Sequence, residues 1–184
     1  MTASARDVAA ALRERLPGLA TKKLHKLLYY CQGHHLAAFD EPLFTESISA
    51  WDMGPVVGEL WKDEKEGVLT GSHLQLSEAE LNTVGYVLSR YGGLSGHDLE
   101  ILTHGETPWQ TADKSRRPKG TVRIEREWMR DYFQASALVD NDDDDVRLDS
   151  AAVTRWLSQV GFRQEEPLSA DSPELIKGRL ARGA

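Results

Sequence analysis

Apolar positions recur at helical spacing through most of the chain. Val8, Leu12 and Leu16 lie at i, i+4 and i+8 and predict a first helix, capped by Ser4 and stopped by Pro17-Gly18. Thr21 is the expected cap of a second, longer helix, in which Leu24, Leu27, Leu28, Cys31, His35 and Ala38 form one face. Lys22, Lys23 and Lys26 fall mostly off that face, and Asp40-Glu41-Pro42 closes the helix. From Leu43 to Trp51 the period drops to two: Phe44, Glu46, Ile48 and Ala50 alternate with Thr45, Ser47 and Ser49. That pattern predicts a short strand, able to form half of a small hairpin. Pro55 then suits the first turn of a helix carrying Val56, Val57, Leu60 and Trp61, with Gly67 as its stop.

Val68 to Gln75 reads as a loop or a second short extended piece. Ser77 with Glu80 three residues on is a capping box, opening a helix with Leu81, Val84, Leu88 and Tyr91 that ends at Gly92-Gly93. Ser95 with Asp98 repeats the device ahead of Leu99, Leu102 and Thr103, and Gly105 with Pro108 ends that helix. Lys114 to Gly120 is a basic loop, and Ile124 to Phe133 is helical, with Ile124, Trp128, Tyr132 and Phe133 on or near one side. From Asp140 to Asp149 there are six aspartates and a single arginine, the composition of a solvated linker. Beyond it a helix is expected over 151–160, with Val153, Trp156, Leu157 and Val160, and a short one over 172–180. The predicted fold is mainly α: a compact helical domain with a small β-hairpin element over residues 1–135, an acidic linker over 136–149, and an appended C-terminal helical segment over 150–184.

Composition narrows the class. A chain of 184 residues suffices for one domain with a core and a small appendage. Its 40% hydrophobic and 28% charged content is that of a globular protein. No apolar run approaches the roughly 18 residues of a membrane span, and the sequence MTASARDVAA lacks the layout of a signal peptide. Cys31 is the sole cysteine, so an intrachain disulfide and a Cys-rich zinc site are excluded, and its place in an apolar stripe predicts a buried thiol. These features point to the cytoplasm. The net charge of −7 argues against general nucleic-acid binding and favours a protein partner with a basic surface.

The residues assemble no catalytic set. His104 sits where a helix-end histidine would meet the last carbonyls, and no serine or cysteine nucleophile has a matching role. His97 and His104 can share a helix face, but a metal needs about three ligands, and His-Glu-x-x-His is absent. No phosphate-binding glycine loop occurs, and the aspartate run lacks calcium-loop register. No catalytic, cofactor-binding or metal-binding residue is expected, and the chain is not read as an enzyme. The basic loop of Lys114, Arg116, Arg117, Lys119 and Arg123 is either a solvated surface or a contact for an acidic partner surface or for nucleic acid in operator binding.

Two blocks carry a family resemblance. The first runs through Lys23-Leu24-His25-Lys26-Leu27-Leu28-Tyr29-Tyr30, Gln32-Gly33-His34-His35-Leu36-Ala37 and Pro42-Leu43-Phe44, then Ile48-Ser49-Ala50-Trp51 and Gly54-Pro55-Val56-Val57. The second is Leu99, Leu102-Thr103-His104 and Pro108-Trp109, followed by Gly120, Ile124 and Phe133. Together they resemble the Panacea antitoxin domain family, with its SocA-like and phage-associated GepA-like members, over roughly residues 5 to 135. The resemblance implies a helical domain with a small β element and no catalytic activity. It implies an antitoxin of a toxin–antitoxin system that binds and neutralises a protein toxin encoded by the adjacent gene. One branch acts instead as a proteolytic adaptor that delivers its toxin to an ATP-dependent protease. Leu27, Tyr30, Trp51, Gly54, Pro55, Val56, Thr103, His104, Pro108 and Trp109 are the positions of the family motif, read as structural. Trp51, Asp52, Trp61, Arg116, Arg117, Trp156 and Phe162 are the candidate partner contacts, and self-association into a homo-oligomer is left open.

Overall fold

The helix spanning Thr21–Phe39 (α2) is buried on nearly every side, which explains the layout of everything else. The computed structural model describes residues 3–68 and 71–142. Around α2 pack α1 (Ala5–Arg15), α4 (Glu78–Tyr91), α5 (Gly96–His104), α7 (Arg126–Asp142) and the strand β2 (Gly54–Val57). The remaining elements are β1 (Ile48–Trp51), α3 (Gly58–Lys65), a single 3₁₀ turn at His73–Gln75, α6 (Thr107–Lys114) and β3 (Val122–Arg123). The described residues are therefore mainly helical with a small β element, as the periodicity predicts. The expected helices over 151–160 and 172–180, with Trp156 and Phe162, lie outside the described residues.

Local signals set most helix starts. Ser4 with Asp7, Ser77 with Glu80 and Ser95 with Asp98 each form a complete capping box at the head of α1, α4 and α5. Asp40 ends α2 in the left-handed conformation, at φ 56°. Thr21 is the first helical residue of α2 and not its cap; Ala20 holds that position, without a side-chain hydrogen bond.

A helix enclosed on all sides must satisfy its polar side chains internally. Gln32 does so by accepting from the Leu43 and Phe44 amides at 2.9 and 3.2 Å and donating to the Phe44 carbonyl at 3.0 Å. This ties the segment after α2 back onto the helix. His35 Nδ1 lies 2.8 Å from Thr83 Oγ1 of α4. Cys31 is a buried thiol, as expected. Lys26, expected mostly off the buried face, is 1% exposed.

Several expectations are corrected. Pro55, Val56 and Val57 do not open a helix: they form β2, antiparallel to β1, with Trp51 opposite Gly54 and Ala50 opposite Pro55. The period-two stretch from Leu43 yields a strand only from Ile48. In the strand order β2-β1-β3, β2 is an edge, where a proline is tolerated because an outward amide has no ladder partner to lose. Pro108 does not merely end α5; it occupies the first turn of α6, a helix the periodicity does not predict. Ile124 does not begin the last helix. Its amide donates to the Ile48 carbonyl at 2.8 Å, extending the β1–β3 contact, and α7 starts at Arg126. That helix then continues to Asp142, through the first residues of the segment expected to be linker.

Candidate functional site

The turn between β1 and β2 is two residues long, Asp52-Met53, and projects from the sheet. A groove of about 550 Å³ lies beside it, floored by the first turns of α2 and walled by the hairpin, Trp61 of α3 and the 119–121 turn. Gly54 makes the hairpin fit. Its φ is +99°, and a Cβ there would stand 2.8 Å from Lys26 Cε and 3.1 Å from Thr103 Oγ1. The missing side chain leaves the space through which Lys26 reaches the groove floor, with its ammonium 3.4 Å from the Pro55 carbonyl. We expect Gly54→Ala to lower stability by about 1–3 kcal/mol. Most of this would come from the backbone conformation, because the lysine end can shift. A urea-unfolding midpoint equal to that of the wild type would show that the hairpin tolerates a side chain here.

The groove gathers several of the candidate partner contacts. Trp51 and Trp61 meet edge to face with centroids 5.2 Å apart, and Trp51 Nε1 donates to Thr121 Oγ1 at 3.1 Å. Trp51 is half-buried, so it does not serve as a core filler; Trp61 is 37% exposed and Met53 54% exposed. Lys65 lies over the Trp61 ring, 5.1 Å from its centroid. Asp52 pairs with Arg116, whose guanidinium also binds Asp113 at 2.7 Å and reaches the Gly120 carbonyl at 3.4 Å. Arg116 thus braces the hairpin tip against α6 and the following turn, and its side chain is only 9% exposed. Arg117 is exposed in that turn.

The other motif residues lie behind the groove. Leu27 and Tyr30 are wholly buried on α2, and Val56 is buried in β2. Thr103 is buried on α5, beside Gly54. His104 stacks on Trp109 with centroids 4.0 Å apart, and burial holds its pKa below the usual histidine value. Tyr30 donates to Glu106 Oε1 at 2.8 Å. Burial raises the Glu106 carboxyl to about 7, although the Tyr29 and Tyr30 hydroxyls that face it pull the other way.

Lys26, Met53, Lys119 and Thr121 also line the groove and escape a reading by periodicity. Lys119 is legible as a member of the basic loop, and Lys26 as a lysine flanked by Leu24, Leu27 and Leu28. Burial lowers the Lys26 pKa to about 8, with Glu100 opposing and Lys22 reinforcing that shift. Beside it, His25 accepts from the Val57 amide at 3.3 Å, and burial with the neighbouring Lys26 and Arg13 charges lowers it to about 4. The Glu64 carboxylate, 3.7 Å from His25 Nε2, is held by Arg13. Among the described residues no group of three or more histidine, cysteine or acidic side chains is placed to hold a metal ion. No described helix is long and apolar enough to cross a membrane.

The described residues form a helical domain with a surface cleft lined by tryptophan and lysine. Residues 24–110 match the family described as antitoxin SocA-like, Panacea domain. The matched segment runs from the start of the α2 core to α6 and includes the whole hairpin. No curated protein and no solved structure matches the chain.

Proposed function

We propose that the protein is a non-enzymatic, cytoplasmic antitoxin that neutralises a protein toxin by binding it directly, with the face around the β1–β2 hairpin as the contact surface. The family domain supports an antitoxin role and implies a toxin partner. The observation that carries the choice of surface is the exposed apolar pair of Met53, at the tip of a braced hairpin, and Trp61, on the adjoining α3. Large apolar side chains on a rigid support lose little freedom on binding and are the usual anchors of protein interfaces.

The test is co-expression with the product of the neighbouring gene, reading growth and then complex formation by gel filtration. The neighbour alone should arrest growth, and this chain should restore growth and co-elute with it. Rescue that disappears in a host lacking its ATP-dependent protease would move the assignment to a proteolytic adaptor. A harmless neighbour that does not bind would remove the proposal.

A further inference from the structure

The hairpin groove combines two recognition chemistries. Its rim is aromatic and apolar, from Trp51, Trp61, Met53 and Val56. Its charged lining is Lys22, Lys26 and Lys119 against the single carboxylate of Asp52, on a chain whose net charge is −7. The nearby acids are already engaged: Asp52 with Arg116, and Glu100 with Lys22. Lys26 at the floor is 1% exposed, with a hydrogen bond to the Pro55 carbonyl at 3.4 Å and only the longer-range charge of Glu100, itself paired with Lys22, to oppose its desolvation. A lone long hydrogen bond to a neutral carbonyl compensates a buried ammonium poorly, whereas a carboxylate would compensate it well. Burial also lowers the amine's pKa, so the fold holds this charge at a cost to stability, as binding sites commonly do.

We propose that this groove takes an extended acidic peptide segment of the protein partner, seating an apolar side chain against the Trp51–Trp61 pair and an Asp or Glu carboxylate on Lys26. The inference rests on the reading that this face engages a protein. The groove opens to the surface beside the exposed Trp61 and Met53, which suits a segment laid across it. The cationic lining of an otherwise acidic protein selects for a negative segment and repels a basic one. Because Arg116 fixes the hairpin tip and Thr121 fixes the Trp51 ring, the aromatic rim of the site is formed before binding.

The experiment selects a random-peptide display library on the full-length protein and titrates the enriched peptides calorimetrically against wild type, Lys26→Met and Trp61→Ala. Methionine replaces the buried amine with an apolar chain of similar length, so Lys26→Met should melt at or above the wild-type temperature. Trp61 is partly exposed, and its loss should leave the fold intact, as circular dichroism would show. Enriched peptides are expected to carry an Asp or Glu beside a large apolar residue and to bind each variant about tenfold more weakly or worse. Changing the peptide's acid to its amide should weaken binding to wild type but leave binding to Lys26→Met nearly unchanged. Failure to enrich, an acid-free consensus, or equal binding to wild type and Lys26→Met would each overturn the inference. Any of these with growth rescue intact would leave the antitoxin reading standing on a different face. Peptide binding as expected with no rescue would keep the groove's chemistry and remove the antitoxin role.

Discussion

Gly33→Ala should destabilise the protein by about 2 kcal/mol or more, although alanine is the better helix former by about 1 kcal/mol. The reason is the approach of α7 to α2. A Cβ on Gly33 would stand 2.1 Å from Phe133 Cε2 and 2.2 Å from Cδ2, well inside van der Waals contact. The Phe133 ring cannot retreat easily. It is 2% exposed, edge to face with Tyr29, Tyr30 and Tyr132 at 5.7, 6.0 and 5.2 Å, and 4.6 Å from the His34 ring. Overpacking a close-packed core costs about 1–3 kcal/mol and more when an aromatic ring must move. The clash should therefore outweigh the propensity gain. Chemical denaturation of Gly33→Ala, Phe133→Leu and the double variant decides the point. Leucine removes the ring edge, so the double variant should be more stable than the two single losses added together. If Gly33→Ala is instead neutral or stabilising, α2 and α7 do not approach as closely as described.

The features legible in the sequence are those fixed within a few residues. The capping boxes read at Ser77 and Ser95 are complete in the structure because both partners lie three positions apart on one helix turn, and the cap read at Ser4 is a full box with Asp7. Proline is harder to read. At Pro55 the same residue suits a helix start or an edge strand, and only the pairing of β2 with β1 decides between them. At Pro108 a helix terminator and a helix initiator look alike in one sequence, and the choice went to α6. β3 spans two residues, too few for any period, and is set by its pairing with β1.

The site was partly legible. Trp51, Asp52 and Trp61 stand out as residue types in the hairpin region, and the groove brings them together. Arg116 stands out for its charge, yet its pairing with Asp52 and Asp113 depends on how α6 folds back. Lys26 was obscured because helical period assigns one buried face, whereas α2 is covered on nearly all of them. The close approach of Gly33 to Phe133 joins residues a hundred positions apart, and no local pattern records it.

Glu106→Gln should raise stability at pH 8 by up to about 3 kcal/mol and leave it near the wild-type value below pH 4.5. Glu106 starts α6, accepts from Tyr30 at 2.8 Å, and presents its second oxygen to the Tyr29 hydroxyl without a well-aligned hydrogen bond. Burial raises its pKa from 4.5 to about 7 in the folded protein. The folded state then binds more protons than the unfolded state between those values, so this group's contribution is fully present below pH 4.5 and is lost as pH rises to 7. The groups facing it, Tyr29, Tyr30, Tyr91 and Tyr132, are all raised by burial and keep their protons across this range. The histidines act in the opposite sense. His25 is lowered from 6.5 to about 4, and burial also lowers His35 and His104, so their contribution is present above pH 6.5 and lost as pH falls. In the wild type the two effects offset each other between pH 7 and 4.5, flattening the stability profile. Glutamine keeps the shape, accepts from Tyr30 through its carbonyl and can donate to the Tyr29 oxygen, but carries no charge to desolvate. Removing the carboxyl should therefore expose the histidine contribution as a steeper loss of stability on acidification. Unfolding free energies of both proteins from pH 4.5 to 8 give the test, because the histidines are common to both and cancel in the difference. A difference that does not change with pH would mean that Glu106 titrates as it does in the unfolded chain.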